Sequence, residues 1–305
     1  MFYTVTFNPA LDYVVHPGTL TIGEVNRSRG EELYCGGKGI NVSAVLAELG
    51  IRSRALGFIA GFTGEAIAKG VAEMGIDADF VKLGAGNSRI NVKIKSDAET
   101  EINCQGPDIP PEAVDALFKK LSVLEPGDTL VLAGSIPSSL PPDIYERILA
   151  AVDGRGIVTA VDATGELLKR VLRYRPFVVK PNDRELGELF GRELKTDAEI
   201  EECARELQKA GAQNVLVSMA GSGAMLIDSN GITHRVGVCK RTVRNSVGAG
   251  DSMLAGFLAG SQSGDYGRAL RLGTAAGGAT AFSDGLAKRE LIFSLLTQLE
   301  EQGGN

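Results

Sequence analysis

The stretch "NSVGAGDSMLAGFL", residues 245–258, decides how the rest of the chain is read. Gly248, Ala249 and Gly250 are three small residues set directly before one acid, Asp251, and an apolar run continues beyond them as a helix would. The N-terminus of a helix presents unpaired backbone N–H groups and the positive end of its dipole, so small residues there form an anion hole. Asp251 then has two readings. It satisfies the helix dipole, as first-turn acids often do, or it is a general base beside a hole that stabilises charge on a transferring phosphoryl group. Such a transfer asks little of a protein beyond positioning and charge neutralisation.

A second glycine turn, "CGGKGIN" at residues 35–41, opens a helix expected over 39–49, where Val42, Val45, Leu46 and Leu49 fall at helical spacing. Gly36 and Gly37 allow a ligand close to the backbone. The turn is not a phosphate-binding Walker loop, because Lys38 is followed by Gly39 and not by Ser or Thr. No G-x-G-x-x-G sits at a strand–helix junction, which argues against a dinucleotide site. Read alone, "GGKG" is also a plain tight turn.

Further along, "VVKPNDRELGELF" (178–190) follows an apolar strand, so Lys180, Asn182 and Glu185 leave its C-terminal end together. Ligands of parallel α/β sheets bind at that edge. Asn182 and Glu185 also have the spacing of a capping box, and a rigid capped turn can still present a carboxylate to a water on Mg²⁺. "SMAGSGAMLI" (218–227) reads as strand, glycine turn and strand, either a simple hairpin or a backbone laid against a nucleotide.

Around these motifs, apolar strands alternate with helices. A strand is expected over 2–8. Helices near 111–124, 141–153, 166–173 and 197–210 precede "TLVLAGSIP", "IVTAVDATG", "FVVKPN" and "NVLVSMAG". The pattern predicts an α/β fold with a mainly parallel sheet covered on both faces. Residues 11–35 and 88–105 differ, because "RINVKIK" and "ETEINCQG" alternate with period two. They predict one small antiparallel sheet standing off the main body, serving as a lid, a dimerisation surface or both. A single α/β domain with a small appendage, over 1–305, is the expected organisation.

The 305 residues are 44% hydrophobic and 23% charged, enough for a sizeable core. A net charge of −6 argues against nucleic acid or an acidic membrane as partner. No signal peptide or membrane-spanning stretch is read, and Cys35, Cys104, Cys203 and Cys239 form no C-x-x-C pair, so a reducing cytoplasm is the expected location. Two histidines, His16 and His234, leave little material for a His-based metal site or a Ser-His-Asp triad.

Taken together, "GGKGINVSAVLAELG" and "NSVGAGDSMLAGFL" resemble the N- and C-terminal signatures of the phosphofructokinase B family of carbohydrate kinases, and the resemblance spans essentially the whole chain. It implies a ribokinase-like three-layer α/β/α fold with a small β-sheet lid, through which the family often dimerises. It implies ATP and Mg²⁺, and leaves the need for a monovalent cation open. Asp251 would be the catalytic base and Gly248, Ala249 and Gly250 the anion hole. Asn182 and Glu185 match the N-x-x-E motif, which acts on Mg²⁺ through water, and Lys180 and Asn182 would lie beside the ATP phosphates. Ser218, Gly221 and Gly223 would lie beneath the nucleotide, with Ala276 and Gly277 facing the adenine.

On the sugar side, the resemblance implies that Asp12 of "NPALD" binds hydroxyls and that Gly36, Gly37, Lys38 and Asn41 line the acceptor site. "TVTFNPALDY", "GEVNR" and "RINVKI" are similar to the sugar-phosphate branch of the family. That branch implies phosphorylation of fructose 1-phosphate at its C6 hydroxyl, with tagatose 6-phosphate or fructose 6-phosphate as alternative acceptors. A catalytically silent sugar-phosphate sensor is the rival from another class. A phosphorylated acceptor needs cations, and Lys38, Arg27 and Arg89, with the Ser135 hydroxyl, are the candidates. Without the family, Arg27 and Arg89 read as solvated charges on a lid strand. Ser246 stands where the family commonly has Thr, and Cys35 reads as a small buried thiol.

Overall fold

The computed structural model describes residues 1–302. In chain order the elements are β1 (Phe2–Thr6), β2 (Ala10–Val15), β3 (Glu31–Gly36), α1 (Lys38–Glu48), β4 (Ser53–Ala60), α2 (Gly61–Glu73), β5 (Asp77–Ala78), β6 (Val81–Leu83), β7 (Arg89–Lys95) and β8 (Glu99–Ile102). There follow α3 (Pro111–Leu121), β9 (Thr129–Ala133), α4 (Ile144–Val152), β10 (Val158–Asp162), α5 (Gly165–Val171), β11 (Val178–Val179), α6 (Asp183–Leu189) and α7 (Asp197–Lys209). The chain closes with β12 (Asn214–Ser218), β13 (Ala224–Ile227), β14 (Thr233–Val236), α8 (Ala249–Ser261), α9 (Tyr266–Ala281) and α10 (Arg289–Gln302).

Ten strands form the main sheet, in the order β14-β13-β12-β11-β10-β9-β1-β4-β5, with β6 also on β4. From β12 across to β5 every pairing is parallel, whereas β13 and β14 add an antiparallel edge. The central strands are buried on both faces, so their side chains alternate between two cores. Tyr3 and Val5 of β1 join Leu130, Leu132 and Val161 against α3, α4, α5 and α7. Phe2 turns the other way and joins Val131, Ala160 and Leu216 against α1, α8, α9 and α10. This is the three-layer α/β/α arrangement expected from the alternation of apolar strands and helices.

Helix limits differ by a few residues from the sequence reading. The largest shifts are at the end of α3, which stops at Leu121, and at the start of α4, where Pro141 and Pro142 precede the helix and it begins at Ile144. The patterns assigned nothing to β4, α2, α9 and α10. No helix of the described residues is long and apolar enough to cross a membrane.

The small sheet is present with four strands in the order β3-β2-β7-β8. Its two hairpin pairs, β2–β3 and β7–β8, are antiparallel, but the central pair β2–β7 is parallel. The all-antiparallel expectation is corrected for a topological reason. β2 continues from β1 and β7 from β6, which run in the same sense in the main sheet, so both enter the small sheet in one direction.

Candidate active site

The C-terminal ends of β1, β9, β10, β11 and β12 open on one edge of the main sheet. The small sheet and the start of α8 meet there around a cleft of about 1030 Å³. Parallel strands end together on this edge, so residues far apart in sequence converge on it.

Gly248 is the N-cap of α8 with φ of 79°, a left-handed conformation that a side chain would strain. That turn places Gly248, Ala249 and Gly250 on the wall of the cleft, with the Ala249 N–H donated to the Ser246 carbonyl at 3.2 Å. Asp251 follows in the first turn and is 5% exposed. Asn41, from the first turn of α1, donates from Nδ2 to Asp251 Oδ2 at 2.8 Å. Burial, with the negative charge of Asp162 nearby, pushes the Asp251 carboxyl up to about 6, while Asn41, Lys38 and Lys180 act in the opposite sense. A buried carboxyl that titrates close to neutral pH suits proton abstraction.

Two lysines flank this acid. Lys180, 5% exposed, leaves β11, and its Nζ lies 3.1 Å from where a Cβ on Gly250 would sit. Lys38 opens α1. Burial works against its charge, but Asp162 and Asp251 together hold its pKa above the ordinary value. Both ammonium groups face Asp162, the last residue of β10, at 3.2 Å for Lys38 and 3.6 Å for Lys180. The sequence reading missed Asp162. Its signal was present, since "IVTAVD" ends a buried apolar strand on an acid at the ligand-binding edge.

On the small sheet, Asp12 of β2 is the register partner of Asn91 of β7. Asn91 donates to Asp12 Oδ1 at 2.8 Å, and Lys93 Nζ lies 3.9 Å from Oδ2. Gly36 does not line the cleft. It lies against Asp12, and a Cβ on it would fall 2.5 Å from Oδ2, so it acts through that carboxylate. Gly37, Lys38, Asn41, Arg89 and Ser135 do line the cleft. Arg89 is braced by its Nε donating to the Asn8 carbonyl at 3.0 Å. Arg27 does not reach it. The loop between β2 and β3 carries Arg27 into solvent and away from the cleft. Asn8, in the bend between β1 and β2, and Asn91, on β7, were both missed, because single uncharged amides carry no distinctive pattern.

At the other end, Asn182 and Glu185 form the capping box of α6. Asn182 Oδ1 accepts from the Glu185 N–H at 2.7 Å, and Glu185 Oε2 accepts from the Asn182 N–H at 2.8 Å. Both still line the cleft, beside Ser218, Gly221 and Gly223. Asn182 forms a bridge to Ser218, which fastens this turn to β12. Gly277 lines the cleft, but Ala276 does not. Ala276 is fully buried on α9 against Gly256 of α8, so the helical repeat turns it into the core. The segment Val238–Arg241 also lines this end, and no sequence pattern marked it.

Among the described residues no group of three or more His, Cys, Asp and Glu side chains could hold a metal. Mg²⁺ keeps several waters and is usually held through few carboxylates and substrate phosphates, and Glu185 has one carboxylate oxygen outside its cap hydrogen bond. Glu185, with one oxygen engaged in the cap, and Asn182 are the groups that would hold its waters.

Residues 6–290 match the pfkB family carbohydrate kinase pattern. The chain belongs to this family. Its fold is ribokinase-like. A 1-phosphofructokinase from Bacillus subtilis is 45% identical over 301 residues, covering 98% of this chain and 99% of that protein. A D-tagatose-1-phosphate kinase from Bacillus licheniformis is 35% identical over 302 residues, covering 98% of this chain and 99% of that protein. Among solved structures, phosphofructokinase-2 from Escherichia coli in complex with fructose-6-phosphate superposes with a TM-score of 0.91 at 26% identity, covering 98% of this chain and 99% of that one. This pfkB-family chain is a carbohydrate kinase.

Proposed function

We propose that this protein transfers the γ-phosphoryl group of ATP to the C6 hydroxyl of fructose 1-phosphate, giving fructose 1,6-bisphosphate and ADP. The observation that carries the reading is the buried Asp251 carboxyl, with a pKa of about 6, set in the first turn of α8. Asp251 takes the proton of the hydroxyl as its oxygen attacks phosphorus and the bond to the ADP oxygen breaks. The N–H groups around Gly248, Ala249 and Gly250 stabilise the charge that develops on the transferring group. Lys180 lies on the nucleotide side of this point, with Asn182, Ser218, Gly221, Gly223 and Gly277 forming the rest of the ATP site. Asn182 and Glu185 would hold Mg²⁺ through water, and the ion would supply charge neutralisation of the phosphates.

Asp12 accepts hydrogen bonds from sugar hydroxyls. Arg89, as a planar fork, and Ser135 are the groups offered to the acceptor phosphate, whereas Lys38, the third candidate, is held by Asp162 at 3.2 Å and stands near Asp251 at the transferring end. Two relatives at 45% and 35% identity are named for sugars phosphorylated at carbon 1, which supports a 1-phosphate acceptor over a 6-phosphate one.

The face of the small sheet that points away from the cleft supports assembly of two chains. Leu33, Tyr13, Val92 and Ile102 are successive register partners across its four strands, so they form one apolar row. Leu33 is 57% and Ile102 54% exposed, an uncovered apolar surface of the kind that pairs with a second copy. In such a dimer the sheet closes over the cleft as a lid and excludes water from the transfer.

The test is coupled ADP release with Mg-ATP, with and without added K⁺, over fructose 1-phosphate, tagatose 1-phosphate, tagatose 6-phosphate, fructose 6-phosphate and fructose. The reading expects the highest kcat/KM for fructose 1-phosphate. A lead for a 6-phosphate sugar overturns the acceptor. Nucleotide binding with no turnover on any sugar overturns the kinase.

A further inference from the structure

Asp162 is 2% exposed at the end of β10, in the middle of the main sheet. A carboxylate this deep requires compensation. It receives two cations from opposite sides. Lys38 Nζ is 3.2 Å from Oδ2, and Lys180 Nζ is 3.6 Å from Oδ1. Each oxygen therefore takes one lysine. Lys180 is itself 5% exposed, and Asp162 is its one salt-bridge partner among the described residues. Lys38 opens the helix that carries Asn41 to Asp251, whereas Lys180 arrives from β11 beside the turn that leads to Asn182.

We infer that Asp162 is a positioning residue that yokes Lys38 on the acceptor side to Lys180 on the nucleotide side, so that both ammonium groups flank the phosphoryl group in transit. This deepens the kinase reading proposed above and rests on it. Asp162 takes no proton and touches no reacting atom. It holds the Lys180 Nζ at 3.6 Å and stops Lys38, at 3.2 Å, from swinging into solvent. A second consequence follows for the base. The charged groups facing Asp251 are Asp162 from β10, Lys38 from α1 and Lys180 after β11, and of these only Asp162 opposes ionisation of Asp251. Glu185 of α6 acts more remotely, on Lys38. The yoke thus gathers the two cations and keeps the base from becoming too weak.

The test uses the full-length protein in four forms: wild type, Asp162→Asn, Lys180→Met and the double variant. ADP affinity is measured by calorimetry at neutral pH, and kcat/KM for fructose 1-phosphate across pH. Asp162→Asn is expected to weaken ADP about tenfold, and the double variant to bind ADP no more weakly than Lys180→Met alone, because Asp162 acts through that lysine. The acid limb of the Asp162→Asn profile is expected to move down by about half a pH unit or more, a change that a purely structural role would not produce. Unaltered ADP affinity in Asp162→Asn, or losses that simply add in the double variant, overturns the inference. If Asp162→Asn does not fold, the double variant removes the buried charges as a pair, and its comparison with Lys180→Met decides. Absent turnover in wild type counts against the kinase reading, whereas the ADP arm still tests Asp162.

Discussion

Asn41 and Asp251 are 210 residues apart in sequence, and the Asn41 amide donates to the Asp251 carboxylate at 2.8 Å. The contact joins the two glycine-rich helix starts into one site. It also favours the charged form of an acid that burial pushes toward neutrality.

Asp251→Asn is expected to lower kcat by about two to four orders of magnitude, the usual worth of a general base, with ADP affinity nearly unchanged. Steady-state kinetics alongside calorimetry check this, and near-full turnover in the variant would sink the assignment.

The pH profile follows from the same carboxyl. Asp251 accepts a proton only when ionised, so kcat/KM should fall about tenfold per pH unit below its pKa of about 6. Asn41→Ala removes a donor to the carboxylate and should move that limb to higher pH. A flat profile between pH 5 and 7 would contradict both statements.

Stability should respond in the opposite sense to activity. The native state binds the Asp251 proton more tightly than the unfolded chain, where the pKa is near 3.8, so this site loses stability as pH rises from there through about 6. The shift corresponds to roughly 3 kcal/mol at alkaline pH. Asp251→Asn should therefore raise Tm by about 5 °C at pH 8 and by less at pH 5, as read by thermal melts.

Gly36 and Asn91 confine the Asp12 carboxylate from two sides. Gly36→Ala places a Cβ 2.5 Å from Oδ2, and Asn91→Ala removes the donor to Oδ1. Each should raise KM for the sugar phosphate about tenfold or more while KM for ATP holds. A parallel rise in both constants would show that the damage is general.

The apolar row on the small sheet predicts assembly. Leu33→Glu puts a charge on the apolar row of such an interface and should convert a dimer to monomer in sedimentation velocity runs. A wild-type protein that sediments as a monomer would refute the pairing.

Much of the fold was legible in the sequence because its signals are local. Runs such as "LVLA" (130–133) and "VLV" (215–217) are apolar at every position, which a strand covered on both faces explains, and amphipathic stretches such as 197–210 separate them. The anion hole at Gly248–Gly250 and the cap at Asn182–Glu185 were equally local, since a helix start is written in adjacent residues. The resemblance to a known family added roles that spacing alone left open, and the structure brings most of those residues to one cleft. Arg27, Gly36 and Ala276 are the exceptions. A loop path, a buried neighbour and a helical phase decide their positions, and none of these is visible in a motif.

What the sequence determined by itself is the layered α/β class and the existence of two phosphate-competent helix starts, because both follow from neighbours along the chain. Only the tertiary structure decided that β2 and β7 run parallel, that Asn91 holds Asp12 and that Asp162 stands between Lys38 and Lys180. Those relationships join strands that are distant in sequence, and they arise because every parallel strand delivers its last residue to the same edge. A lone acid closing a strand acquires its chemistry from the cations that packing places beside it.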